Sequence, residues 1–185
     1  MKTNMGPFIL HNDGGVTNQN MARFGQVVDE VVRVVEGSVV SGLAQVLYGD
    51  IHIKVRGRLI IRTIGPPPGV RIEGRIQGRY LRADDAVELR CFKRRKLCVD
   101  TLSGVLLHEL GHRFWSKHSD HTRCRQWAYY SHRLRISGSK EPSELEKRFP
   151  SLYSITCPVE HFCETLAHTD SLSGEQSRAL AEIWN

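Results

Sequence analysis

His108, Glu109 and His112 stand at a spacing that speaks directly of chemistry. In His108-Glu109-Leu110-Gly111-His112 the two histidines are four residues apart, after the apolar run Val105-Leu106-Leu107. On an α-helix, residues four apart are neighbours on one face, so both imidazoles can reach a single zinc ion. Glu109 lies about 100° further round. That is near enough to draw a proton from a metal-bound water without becoming a ligand. H-E-x-x-H recurs by chance in helices, so it needs its context: a helix, a glycine within it and a further donor downstream.

Three sets of residues compete to supply the third ligand. His118, six residues past His112, completes a metzincin-like spacing. That pattern needs glycine three residues after the second histidine so that the chain can turn back to the metal. Trp115 stands there instead, and a bulky residue resists the left-handed conformation glycine adopts freely. The methionines are Met1, Met5 and Met21, all upstream, so the methionine turn of that pattern is missing. Glu160 and Glu164 form the second set, four apart on a short helix. One can bind the metal while the other holds a ligating histidine by its free ring N–H. Alone, this pair reads as a solvated helix face. The third set is His161, His168 and Asp170. His168 is spaced to pair with Glu164, and a histidine on a short helix ordinarily lies on the surface or meets a partner.

With Tyr153 ahead of Glu160-His161-Phe162-Cys163-Glu164, the chain resembles the gluzincins, zinc peptidases whose third ligand is a glutamate on a second helix. It is most similar to the anthrax lethal factor-type catalytic domain and related small phage- and toxin-associated metallopeptidase domains. In those, H-E-[LF]-G-H is followed by a tyrosine, six residues and E-x-F-x-E. The resemblance covers about the last hundred residues. It implies one zinc ion on His108, His112 and Glu160, a zinc-activated water with Glu109 as general base, Glu164 orienting a ligand, and the Tyr153 hydroxyl near the reacting carbonyl. Cys163 departs from the family's usual alanine, and His161 is also unusual there. The implied activity is hydrolysis of peptide bonds, and the expected partner is a protein or peptide substrate. The alternatives are a non-catalytic binding or structural protein of a phage or host system that keeps the fold, and the metzincin-like site using His118.

The elements that must position these groups follow from periodicity. Residues 1–20 are rich in Gly, Asn and Asp and read as a loosely ordered lead-in, with one extended piece at Phe8-Ile9-Leu10. Phe24, Val27, Val28, Val31, Val32 and Val35 recur at three- and four-residue steps and predict a helix broken at Gly37-Ser38, and a second helical piece is expected from Val39 to near Gly49-Asp50. From Ile51 the period becomes two. Strands are expected at Ile51–Val55, at Leu59–Ile64 and, Gly-broken, at Val70–Ile76, with Gly65-Pro66-Pro67-Pro68-Gly69 as a stiff turn. Tyr80-Leu81, the turn Asp84-Asp85 and Val87–Phe92 predict a hairpin. Zincins set an edge strand beside the active helix, so Val87–Phe92 is the strand expected to pair with an extended substrate.

The active helix should be capped by Asp100 or Thr101 and run to Trp115 or Lys117. Later helices are expected at Thr122–Ile136, with Cys124, Trp127, Ser131 and Leu134 along one stripe, at Ser143–Phe149 behind a capping box, at Val159–Thr169 and at Gly174–Trp184. The fold class is therefore α+β and zincin-like: a small mixed or antiparallel sheet packed on the active-site helix, then a helical half carrying the third ligand. One domain spans 21–185, with helix and sheet over about 21–99 and the catalytic half over about 100–185.

Composition agrees with an ordinary globular chain: 185 residues, 40% hydrophobic and 25% charged. The five cysteines include no C-x-x-C pair, which argues against a cysteine zinc site or a disulfide scaffold and fits a reducing cytoplasm. Cys91 and Cys98 are the one pair that could face each other across a hairpin. The net charge of +6 admits nucleic acid without favouring it, and Lys93-Arg94-Arg95-Lys96 fits a solvated hairpin loop. No signal peptide and no run of about 18 apolar residues is visible, so no membrane segment is expected. Nothing specifies an oligomeric state.

Overall fold

The architecture was analysed in a computed structural model. It describes residues 2–12, 18–40, 42–47, 51–56, 78–90, 92–93, 96–97, 99–137, 148–169 and 172–184. The expected strands Leu59–Ile64 and Val70–Ile76, the proline turn, the capping box at Ser143, Cys91, Cys98 and Asp170 lie outside the described residues.

The chain opens with a hairpin, β1 (Lys2–Met5) and β2 (Phe8–Asn12), turning at Gly6 with φ of 55°. Helix α1 (Asn18–Glu36) crosses over to β3 (Ile51–Arg56), which lies parallel to β2. A short 3-10 turn (Leu43–Leu47) takes the place of the expected second helix. The hairpin β4 (Gly78–Leu81) and β5 (Ala86–Arg90) completes a five-stranded mixed sheet in the order β1-β2-β3-β5-β4, its inner pairs parallel and its outer pairs antiparallel. A small hairpin of β6 (Phe92–Lys93) and β7 (Lys96–Leu97) leads into the helical half. There follow α2 (Val99–His118), α3 (Thr122–Ser137), a 3-10 turn (Tyr153–Ile155), α4 (Pro158–Ala167) and α5 (Gly174–Trp184). The fold is mixed α+β. Among the described residues, no helix is long and apolar enough to cross a membrane.

Two expectations are corrected. Residues 1–20 are not a loose lead-in throughout: Lys2–Asn12 form two paired strands, and Phe8 and Leu10 are fully buried. Alternation over only five residues was too short to distinguish a core strand from a turn-rich tail. Second, Val87–Phe92 is not the sheet's edge. Strand β5 ends at Arg90 and is paired on both sides, to β3 and to β4, so among the described residues the edge strand beside α2 is β4. The hairpin of Tyr80-Leu81 with Val87 onward was expected, but the parallel pairing of β3 with β5, which places β5 inside the sheet, carries no local sequence signal.

The core explains where α2 lies. Val27, Val28, Val31 and Val35 of α1 are buried in one cluster with the inward residues of the sheet (Phe8, Leu10, Ile51, Ile53, Val87, Leu89) and with Leu102, Leu106 and Leu110 of α2. Packing on α1 and β4 on one side and α4 on the other makes α2 the central helix. The buried valine face of α1 in this cluster compensates for the modest helix propensity of valine.

Candidate metal centre

One turn of α2 brings the two imidazoles together. His108 Nε2 and His112 Nε2 stand 3.1 Å apart. Pro158 opens α4, its fixed φ suiting a first helical turn, and Glu160 follows within that turn. Glu160 Oε2 lies 3.2 Å from His108 Nε2 and 3.4 Å from His112 Nε2. Donors held on ~2.0–2.2 Å bonds in tetrahedral zinc geometry are separated by about 3.3–3.6 Å. The three atoms thus form a triangle close to the size a small tetrahedral ion demands. Glu160 Oε2 is also buried without a well-aligned hydrogen bond, which suits an acceptor aimed at a cation rather than at an N–H.

Glu164, one turn further along α4, reaches the other nitrogen of the first histidine: Oε1 is 2.8 Å from His108 Nδ1. It is itself held by Ser151 and by His168, whose Nε2 is 3.5 Å from Glu164 Oε2. The Tyr153 ring centroid is 6.0 Å from that of His108, and its hydroxyl meets the Glu160 carboxylate. Burial and the Glu160 charge push the Tyr153 hydroxyl's pKa up, so it stays a donor. Glu109 is 5% exposed, and burial raises its pKa against the pull of the two histidines. The backbone N–H of Tyr80 in β4 donates to its carboxylate.

Two glycines make these approaches close enough. A Cβ at Gly111 would stand 3.0 Å from Cys163 Sγ and 3.1 Å from its Cα, so α2 and α4 can touch here only because the residue between the histidines is bare. A Cβ at Gly78 would meet Val105 Cγ1 at 2.7 Å and Glu109 Oε1 at 2.9 Å, so β4 likewise needs glycine to lie against the base.

The chain matches no protein-family model, no curated protein and no solved structure. His108, Glu109, His112, Tyr153, Glu160 and Glu164 come together. His118 does not: it ends α2 with its ring 4.7 Å from that of Phe114. His161 departs from the expectation of a surface or partnered histidine. It is fully buried among Trp127, Tyr130 and Phe149, neither ring nitrogen finds a partner, and burial lowers its pKa to about 4. Cys163 was missed as a donor. Its Sγ lies within 4.8 Å of the histidine ligand atoms, and burial holds the thiol's pKa well above the ordinary value. Its place three residues after Glu160, on the same helical side, was the available signal.

In the metal-free chain the site stores a proton. Burial opposes charge on His108, but Glu160 and Glu164 outweigh it and raise the imidazole from 6.5 to about 10. Burial likewise opposes the Glu160 charge, yet the histidines bring it from 4.5 to about 2. The histidine's contribution to stability is full below pH 6.5 and is lost as pH rises through 10. The carboxylate's is full above pH 4.5 and is lost as pH falls through 2. Metal-free protein is expected to be most stable between those limits, with Tm falling steadily from pH 6.5 toward 10. A flat Tm over that span in chelator-treated protein would contradict the stored proton.

Proposed function

We propose that this chain is a zinc-dependent metallopeptidase with a gluzincin-like, zincin-type arrangement, in which His108, His112 and Glu160 hold one zinc ion. The observation that carries this reading is the donor triangle, 3.1, 3.2 and 3.4 Å on its sides, with buried Glu109 next to it on α2. Bound zinc supplies Lewis acidity and brings the pKa of water toward ~7.

The chain's own residues do the rest. Glu164 fixes the His108 ring through Nδ1 so that Nε2 faces the donor triangle. The Glu109 carboxylate takes a proton from the attacking water and passes it to the leaving amine, a role that its raised pKa favours. Tyr153 is 37% exposed and stands beside His108 and Glu160, and its hydroxyl donates to the oxyanion that develops on the scissile carbonyl. An extended peptide adds to β4, the edge strand against α2 among the described residues, rather than to β5, which is paired on both sides.

Cys163 favours one second reading. A fourth protein donor would close the coordination shell, and closed shells are the mark of structural rather than catalytic zinc. Metal analysis separates these readings from a metal-free protein: purified wild-type protein is expected to carry one zinc per chain and His112→Ala to carry none. Wild-type protein without stoichiometric zinc would remove both readings.

A further inference from the structure

Beyond the ligands, a second set of side chains closes a loop around Glu109. Arg113 directly follows His112 and is 2% exposed. Its Nε and Nη2 each donate at 2.8 Å to the two carboxylate oxygens of Asp85, and its Nη1 donates to the Val46 carbonyl in the 3-10 turn after α1. Lys117, one turn on, also reaches Asp85, at 2.9 Å. Asp85 sits in the β4–β5 turn with φ of 44°, the left-handed region that costs an L-residue. Tyr80 donates its hydroxyl to Asp85 Oδ1 at 2.8 Å and its backbone N–H to Glu109. The path runs from α2 through Arg113 to Asp85, along Tyr80, and back to α2 at Glu109.

We propose that Asp85, fixed by Arg113 and Lys117, is a positioning residue that sets the Glu109 carboxylate through Tyr80. The inference rests on the reading of Glu109 as general base. A bidentate guanidinium–carboxylate pair fixes orientation as well as distance. Here the guanidinium is buried, so it anchors the turn to α2 rather than letting β4 swing at the sheet's edge. Tyr80 then carries that anchorage to its own backbone N–H, which meets the base. Gly78, two residues earlier in β4, leaves no side chain to hold the strand off, so the spacing of β4 from Glu109 depends on the clamp at the turn. The strain at Asp85 is maintained because glycine, the residue the backbone prefers there, has no carboxylate.

Asp85→Gly suits the backbone but takes the carboxylate away from the buried Arg113 guanidinium, whereas Tyr80→Phe removes only a hydroxyl and is the milder variant. Against fluorescently labelled casein, each is expected to keep wild-type zinc content and KM while kcat falls about tenfold, the scale of losses from partners that orient active groups. A thermal cycle tests the linkage without any substrate. Were Asp85 and Glu109 unlinked, Glu109→Ala would shift Tm by the same amount with or without Asp85→Gly. The loop predicts that the two shifts differ by about 2–4 °C. Equal shifts overturn the positioning role, as does unchanged kcat in both variants. Wild-type protein that fails to cleave casein while the shifts still differ counts against the peptidase reading and leaves the linkage standing.

Discussion

Glu109→Gln is expected to bind zinc as the wild type does and to hydrolyse peptide bonds about 10²–10⁴-fold more slowly, the range that general acid–base catalysis contributes. The substitution is nearly isosteric, and Gln can still accept the Tyr80 N–H, so the packing of β4 on α2 should survive. What disappears is the capacity to hold a proton between attack and departure of the amine. Glu109 is not among the donor atoms that form the triangle, so metal content should not change. Removing a charge that is 5% exposed should leave Tm the same or higher. Parallel measurement of zinc stoichiometry, Tm and turnover checks all three. Full activity in this variant would refute the assignment of Glu109, whatever the metal does.

The second large effect belongs to Gly111. Gly111→Val places a branched side chain where even a Cβ meets Cys163 Sγ at 3.0 Å, Cys163 Cα at 3.1 Å and Leu166 Cδ1 at 3.3 Å. Two of those neighbours are tied to the α4 backbone or its buried thiol, so the helices must part. Overpacking of this kind costs roughly 1–3 kcal/mol. The separation falls between the histidines and Glu160, so zinc affinity should drop together with Tm. Gly25→Ala is the natural control. It lies in α1 with nothing within 4 Å of a built Cβ, and replacing a helical glycine there should stabilise by about 1 kcal/mol. Equal Tm shifts in the two variants would mean that Gly111 is not a contact point between α2 and α4.

Helices and the side chains of the donor triangle were legible in the sequence because their signals are local. The stripe Cys124, Trp127, Ser131 and Leu134 is buried along α3 as its spacing predicts, and α5 keeps its expected bounds. His108, His112 and Glu160 are each announced by four-residue spacing or by motif. The features that stayed hidden depend on chain segments far apart. Arg113 reads as an ordinary charged residue until Asp85 and Val46 are folded against it. Strand β4 is short and begins with glycine, and its role as an edge follows only from the parallel pairing of β3 with β5. His161 has no sequence signal at all, since its burial is defined by α3 and by Phe149.

The joining of α2 to α4 also bears on when, during folding, the donor set comes into being. Glu160 lies 48 positions after His112, and the whole of α3 falls between them. A partly folded chain with α2 formed alone would present two imidazoles and no carboxylate, whatever the quality of that helix. The complete triangle appears only once α4 has docked beside Gly111, a non-local contact of the kind that forms slowly. The donor triangle is thus a product of the finished fold rather than a template for it, and early intermediates should bind the ion far more weakly than the native chain.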